Sequence, residues 1–141
     1  MKSSWASQEP VRAKLYDLMW ERVGIIRDSA GLETARRELE NLETELDASG
    51  LGDHNRAFNL SWHDWMNLKS LVSVSRAITE AAIARKDSRG AHFRSEHPDS
   101  GALEASAFTS ISSREGELQV IMKPVAFTRV RPGQTLLKHV A

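Results

Sequence analysis

Apolar residues recur at three- and four-residue steps in three successive stretches before residue 86, which restricts that part of the chain to helices packed side by side. Leu15, Leu18, Met19, Val23 and Ile26 mark one face of a first helix, and Pro10 suits its first turn. After the break at Asp28-Ser29-Ala30-Gly31, with Ser29 as the expected N-cap, Leu32, Ala35, Leu39, Leu42 and Leu46 form a narrow stripe on a second. Glu33 with Arg37, and Arg36 with Glu40, stand four apart and are expected to support its wet side by about 0.3 kcal/mol each. Residues 47–59, with Gly50 and Gly52, read as a loop. Ser61 and Asp64 then have capping-box character, and Trp65, Leu68, Leu71, Val72, Ser75, Ile78, Ala82 and Ile83 line a third helix that runs to about Lys86.

The pattern changes after Pro98. Residues 108–113 and 117–123 are short β-prone runs joined by Arg114-Glu115-Gly116, a hairpin-like break. Residues 125–130 suggest a third short strand, and Pro132-Gly133 a turn. The expected fold is mainly α: a three-helix bundle-like domain followed by a small antiparallel β appendage. Its parts are an N-terminal linker over 1–10, a helical domain over 11–98 and a short-strand extension over 99–141.

Charge and composition narrow the function. Acidic and basic residues cancel to a formal net charge of zero, which removes the excess of Lys and Arg on which phosphate-backbone affinity rests, so no nucleic-acid partner is expected. There is no cysteine, hence no disulfide, thiolate zinc site or cysteine nucleophile. No apolar run approaches the roughly 18 residues of a membrane-spanning helix, so direct membrane insertion is not expected. A soluble, cytoplasmic protein is the expectation.

Catalytic patterns are missing too. No G-x-G-x-x-G offers backbone N–H groups to a dinucleotide pyrophosphate, and the β-prone runs follow the helices instead of alternating with them. His54, His63, His92, His97 and His139 include no H-x-x-x-H pair, so satisfied or solvated imidazoles are the better reading. No G-x-S-x-G is present, and nothing in the sequence sets the separation of Asp87 and Glu96 for acid–base work. The expected site list is therefore empty of catalytic, cofactor and metal residues. Trp20 and Trp65 read as core, and Trp20 or Trp62 as the tryptophans best placed to anchor an interface.

One segment stands out chemically: residues 84–94, which gather basic groups, Gly90 and His92 at the end of the third helical pattern. A helix stopping in Ser88-Arg89-Gly90 would expose its last carbonyls to cations, with Gly90 as the left-handed cap. For Arg89, His92 and Arg94 the local reading is that they bond those carbonyls. The alternative is that the turn docks on another protein surface, where arginine forks onto carboxylates or carbonyls. The residues alone favour the first, since such caps are common.

Residues 85–94, followed by Glu96-His97-Pro98, resemble the R-K-E-S-R-G-A-H-x-R-x-D-x-P signature of the C-terminal helical domain of succinate dehydrogenase and fumarate reductase flavoproteins. Residues 15–27 resemble that family's L-x-x-x-M-W-x-x-V-G-I-x-R opening helix, and 68–74 its N-L-L-x-V-A-E helix. The likeness covers most of 11–98, with an echo at Lys123-Pro124-Val125. Asp87 stands where Glu is usual and Glu96 where Asp is usual, and the tract after Pro98 lacks the Trp-containing segment of respiratory members. That leaves room for soluble relatives such as L-aspartate oxidase.

The resemblance implies a non-catalytic domain that packs on and stabilises the FAD-binding domain of the same longer polypeptide. FAD would belong to that parent, an FAD-dependent oxidoreductase, and none would be bound by this chain alone. Ser88, Arg89, Gly90, His92 and Arg94 would form the family's signature turn, a structural and docking element, with an apolar and basic patch exposed nearby. The rival is an independent helical protein-interaction module with no enzymatic activity.

Overall fold

The computed structural model describes residues 8–50 and 57–134. Three helices come first: α1 over Glu9–Val23, α2 over Ser29–Ser49 and α3 over Leu60–Ala84. Two-residue strands β1 (Ile26–Arg27) and β2 (Phe93–Arg94) pair in parallel, and β3 (Ala107–Arg114) with β4 (Glu117–Pro124) forms an antiparallel hairpin. This is the expected mainly helical domain with a small antiparallel β appendage. Trp5, His54 and His139, and residues 1–7 of the expected linker, lie outside the described residues.

α2 lies between the other two helices, and its whole expected stripe, Leu32, Ala35, Leu39, Leu42 and Leu46, is buried. One cluster joins Leu39, Leu42 and Leu46 to Val11 and Leu15 of α1 and Leu68 and Val72 of α3. A second joins Leu32 and Ala35 to Val23 and Ala82, and Leu18 and Met19 pack against both. Bridges across the helix seams follow the charge pattern: Arg12 with Asp64 at 2.6 Å, Lys14 with Glu45 at 2.9 Å, Lys69 with Asp47 at 2.7 Å, and Arg76 with Glu43.

Several local expectations are corrected. Asp28, not Ser29, caps α2: its carboxylate accepts from the Gly31 N–H at 2.7 Å, and Ser29 begins the helix. Asn59, not Ser61, caps α3 by accepting from the Trp62 N–H at 2.8 Å. On α2, Arg36 pairs with Glu33 at 2.7 Å and Arg37 turns to the Thr34 hydroxyl, because residues three apart on a helix are as near as residues four apart. Trp20 is 84% exposed and Ile26 72%, so neither is core. Leu71 and Ile78 also face outward while Ser75 and Thr79 take buried positions, since contact with α2 selects a narrower stripe of α3 than its apolar residues span.

The hairpin closes on Glu115-Gly116, both at positive φ, the two-residue turn whose twist matches antiparallel strands. The expected third strand over 125–130 is not formed. Pro124 ends β4, and the Val125 N–H is spent on the Ser106 carbonyl at 2.8 Å, which seals the hairpin base. The turn at Pro132-Gly133 is present.

Candidate functional site

The third helix stops before the basic segment and needs no glycine cap. α3 ends at Ala84, and Arg85 is already extended, with φ −85° and ψ 115°. The reading that Gly90 caps this helix is therefore corrected. The chain instead crosses the helix ends in two tight turns, 89–92 and 94–97, with β2 between them. Gly90, at φ 56°, holds the first central position of the first turn, where Arg89 and His92 exchange N–H···O bonds of 2.8 and 3.0 Å.

Arg94 is the centre of this crosspiece. It is 2% exposed, and its guanidinium donates to the carbonyl of Ala82 at 2.8 Å, that of Arg85 at 3.3 Å and the hydroxyl of Ser29 at 2.7 Å. A cation thus meets the carbonyl end of α3, where the helix dipole favours it, and reaches the first residue of α2. Ser88 fixes the turns: its hydroxyl donates to the His97 carbonyl at 2.6 Å and accepts from the Arg94 N–H at 2.9 Å. Arg89 is bound to the Asp87 carboxylate at 2.9 Å, the Ser100 carbonyl at 2.6 Å, the Ser106 hydroxyl at 2.6 Å and the Ala102 carbonyl at 3.2 Å. Arg85 reaches the Asp87 carboxylate at 3.0 Å and the Ala107 carbonyl at 2.6 Å, tying the crosspiece to the start of β3.

Besides Arg85, Asp87 and Ser106, the residues Glu96, Arg27 and Ser29 join the network from outside the expected five. Glu96 accepts from the Ser29 N–H at the start of α2, which, with its own N–H and the nearby Arg94 charge, draws its carboxyl down to about 2. Arg27 donates through Nε to the Val23 carbonyl at 3.1 Å and through Nη1 to His92 Nδ1 at 2.6 Å. Ser29 bonds Arg94 from α2. A signal existed for Arg27, which is the last position of the opening-helix motif. Its link to His92, across 65 residues, follows only from folding.

Ser88, Arg89, His92 and Arg94 are thus gathered into one network, with their side-chain polar groups directed at other parts of this chain, and Gly90 shapes the turn that carries them. An apolar strip faces out beside it, next to exposed Lys86, Ser95 and Glu96. In the parallel pair Ile26 stands beside Phe93 and Arg27 beside Arg94. Successive strand residues point to opposite faces, so the arginines go inward, while Ile26 and Phe93 share the outer face at 72% and 38% exposure. Ile25 is exposed beside them, and Trp20 is exposed on the last turns of α1.

The one strand-to-helix turn near this face, β1 into α2, does not fit a flavin pyrophosphate. The α2 N–H groups that would meet it already bond the carboxylates of Asp28 and Glu96. Among the described residues no group of three His, Asp or Glu side chains is placed to hold a metal ion, and no helix is long and apolar enough to cross a membrane.

Residues 12–137 match the family described as fumarate reductase flavoprotein C-term. The fumarate reductase flavoprotein subunit of Mycobacterium tuberculosis is 32% identical over 125 residues, which are 88% of this chain and 21% of that protein. An L-aspartate oxidase of Yersinia pestis is 36% identical over 81 residues, 57% of this chain and 14% of its own length. This chain thus spans at most about a fifth of these relatives. Among solved structures, the apo Sdh1 complex of Mycobacterium smegmatis superposes with a TM-score of 0.71 at 26% identity, over 82% of this chain and 20% of that one. An E. coli quinol fumarate reductase shares the fold with a TM-score of 0.76 over 86% of this chain and 22% of that one, at 23% identity. Motifs, fold and comparisons agree, and the chain belongs to the fumarate reductase flavoprotein C-terminal family.

Proposed function

We propose that this chain is the non-catalytic C-terminal domain of an FAD-dependent oxidoreductase of the succinate dehydrogenase and fumarate reductase type, packed on the FAD-binding domain of the same polypeptide and stabilising it. FAD and the dicarboxylate chemistry belong to the parent, and this chain contributes shape and a docking face. The observation that carries the proposal is the exposed apolar strip of Ile25, Ile26 and Phe93 held on a crosspiece whose polar groups are bonded within the chain. An apolar strip with Arg27 and Arg94 turned inward suits burial against a partner domain better than contact with water. Ser88, Arg89, Gly90, His92 and Arg94 act in docking by holding that face in shape. The cytoplasmic location expected from the sequence is part of the same proposal and is read by cell fractionation.

An antibody to the domain tests the proposal on native protein. A band several times larger than 15.8 kDa is expected, and a band at 15.8 kDa would favour the independent interaction module. In the larger protein, Ile26→Asp should lower FAD retention and thermal stability while leaving the helical content of the domain unchanged. Full FAD retention by that variant, with unchanged melting, would remove the docking role from this face.

A further inference from the structure

We propose that His92 is a proton-operated latch: neutral, it locks the link between α1 and α2 onto the crosspiece, and protonated, it releases the β1–β2 pairing. His92 spans two elements through its two ring nitrogens. Nε2 lies 3.3 Å from the Arg85 carbonyl at the end of α3, an oxygen that only a donor can satisfy. Nδ1 lies 2.6 Å from Arg27 Nη1, a group that can only donate. The two contacts therefore fix one tautomer, neutral with the proton on Nε2. A second proton would have to enter at Nδ1, where it would turn an acceptor into a donor facing another donor and set imidazolium against guanidinium.

Nothing nearby offsets that charge. Arg27 faces the ring from β1, Arg85 from the end of α3 and Arg94 from β2, and all three disfavour the imidazolium. The acids at hand are engaged elsewhere: Asp87 with Arg85 and Arg89, Glu96 with the Ser29 N–H and Arg94. Burial first, and these arginines after it, hold His92 below its ordinary value, although the bond to the Arg85 carbonyl opposes the shift. Arg27 is lowered as well, by burial and by Arg94, so its bond to a neutral acceptor replaces the counter-ion that no ion pair of the described residues gives it.

The bonds at stake are few. β1 and β2 are held by the Phe93 N–H on the Ile25 carbonyl at 3.3 Å and the Ser95 N–H on the Arg27 carbonyl at 2.9 Å, with the Ser95 hydroxyl on the same oxygen at 3.2 Å. A two-residue pair has no stability of its own, so side-chain contacts hold it closed: Arg94 and Glu96 bind Ser29 just beyond β1, and the Arg27–His92 contact is the one on β1 itself that a second proton on His92 would break. The sign follows from proton counting. The open form binds the extra proton at an ordinary value of about 6.5, and the closed form only below that. Closure is therefore complete above about pH 6.5 and is lost as the pH falls below it, by at most about tenfold per pH unit.

Hydrogen exchange read by mass spectrometry tests the latch, both in this chain and in a longer polypeptide that carries it. Protection factors, corrected for intrinsic rates, are followed for peptides covering 24–28 and 92–96 between pH 8 and pH 4.5. Protection in both should fall together below about pH 6.5 while α2 stays protected. In His92→Asn, whose side-chain oxygen can still accept from Arg27 but does not titrate, protection in both peptides should be flat across the range. His92→Gln is the second non-titrating variant, should the first disturb folding, and is expected to be flat as well. Wild-type protection that is level across this range, or a fall that persists in both variants, would overturn the latch.

Discussion

At the scale of single residues, burial decides which arginine matters. Exposed ion pairs such as Lys14–Glu45 hold two flexible chains in water and contribute at most about 1 kcal/mol. Arg94 is enclosed, and removing it would leave the Ala82 carbonyl and the Ser29 hydroxyl without this donor and the Arg85 carbonyl with His92 alone. Arg94→Ala should cost about 3 kcal/mol in chemical denaturation. Arg94→Lys, a point charge in place of a fork, should recover only part of it. Glu96 gives a pH signature of a different kind. Its folded value of about 2 lies below the ordinary 4.5, so it stabilises fully above 4.5 and progressively less as the pH falls toward 2. Acid titration of unfolding should be flatter between pH 4.5 and 2 in Glu96→Gln than in the wild type, whereas the His92 effect lies higher.

At the scale of elements, the parts legible in the sequence were those fixed by spacing, and the parts missed were those fixed by contacts distant in sequence. The α2 stripe was read residue for residue because α2 is flanked on both sides and a leucine every three or four positions has only one face to serve. The hairpin was read because Glu115-Gly116 carries its own turn geometry. Helix ends were misplaced for a different reason. Ser29 and Ser61 are as good caps as Asp28 and Asn59 by residue type, and the choice depends on where the chain enters. The end of α3 was misread because its capping cation, Arg94, arrives from beyond the glycine that seemed to serve. Of the site, the turn was legible through its family signature. That Arg27, Ser29 and Glu96 complete it was not, since two of them come from the start of α2 and the strand before it, more than 60 residues away in sequence.

At the scale of the whole molecule, cohesion is uneven. Two apolar clusters run through α1, α2 and α3, and the crosspiece lies against the second of them through Arg94 and the end of α3. The hairpin has no comparable anchor. None of the residues in β3 or β4 is buried, and polar ties to the rest of the chain run from Arg85 to the Ala107 carbonyl and through the connection that Arg89 holds. A two-stranded hairpin is marginal alone, so its opening need not wait for the helices. Native-state hydrogen exchange at rising denaturant should separate the two. Amides of β3 and β4 should exchange through a low-energy opening that depends weakly on denaturant, while the amides at Leu39 and Leu42 of α2 should exchange only by global unfolding. If the hairpin amides instead followed the same steep dependence as α2, the appendage would belong to the cooperative core, and its contacts with α3 would carry more of the fold than their exposure suggests.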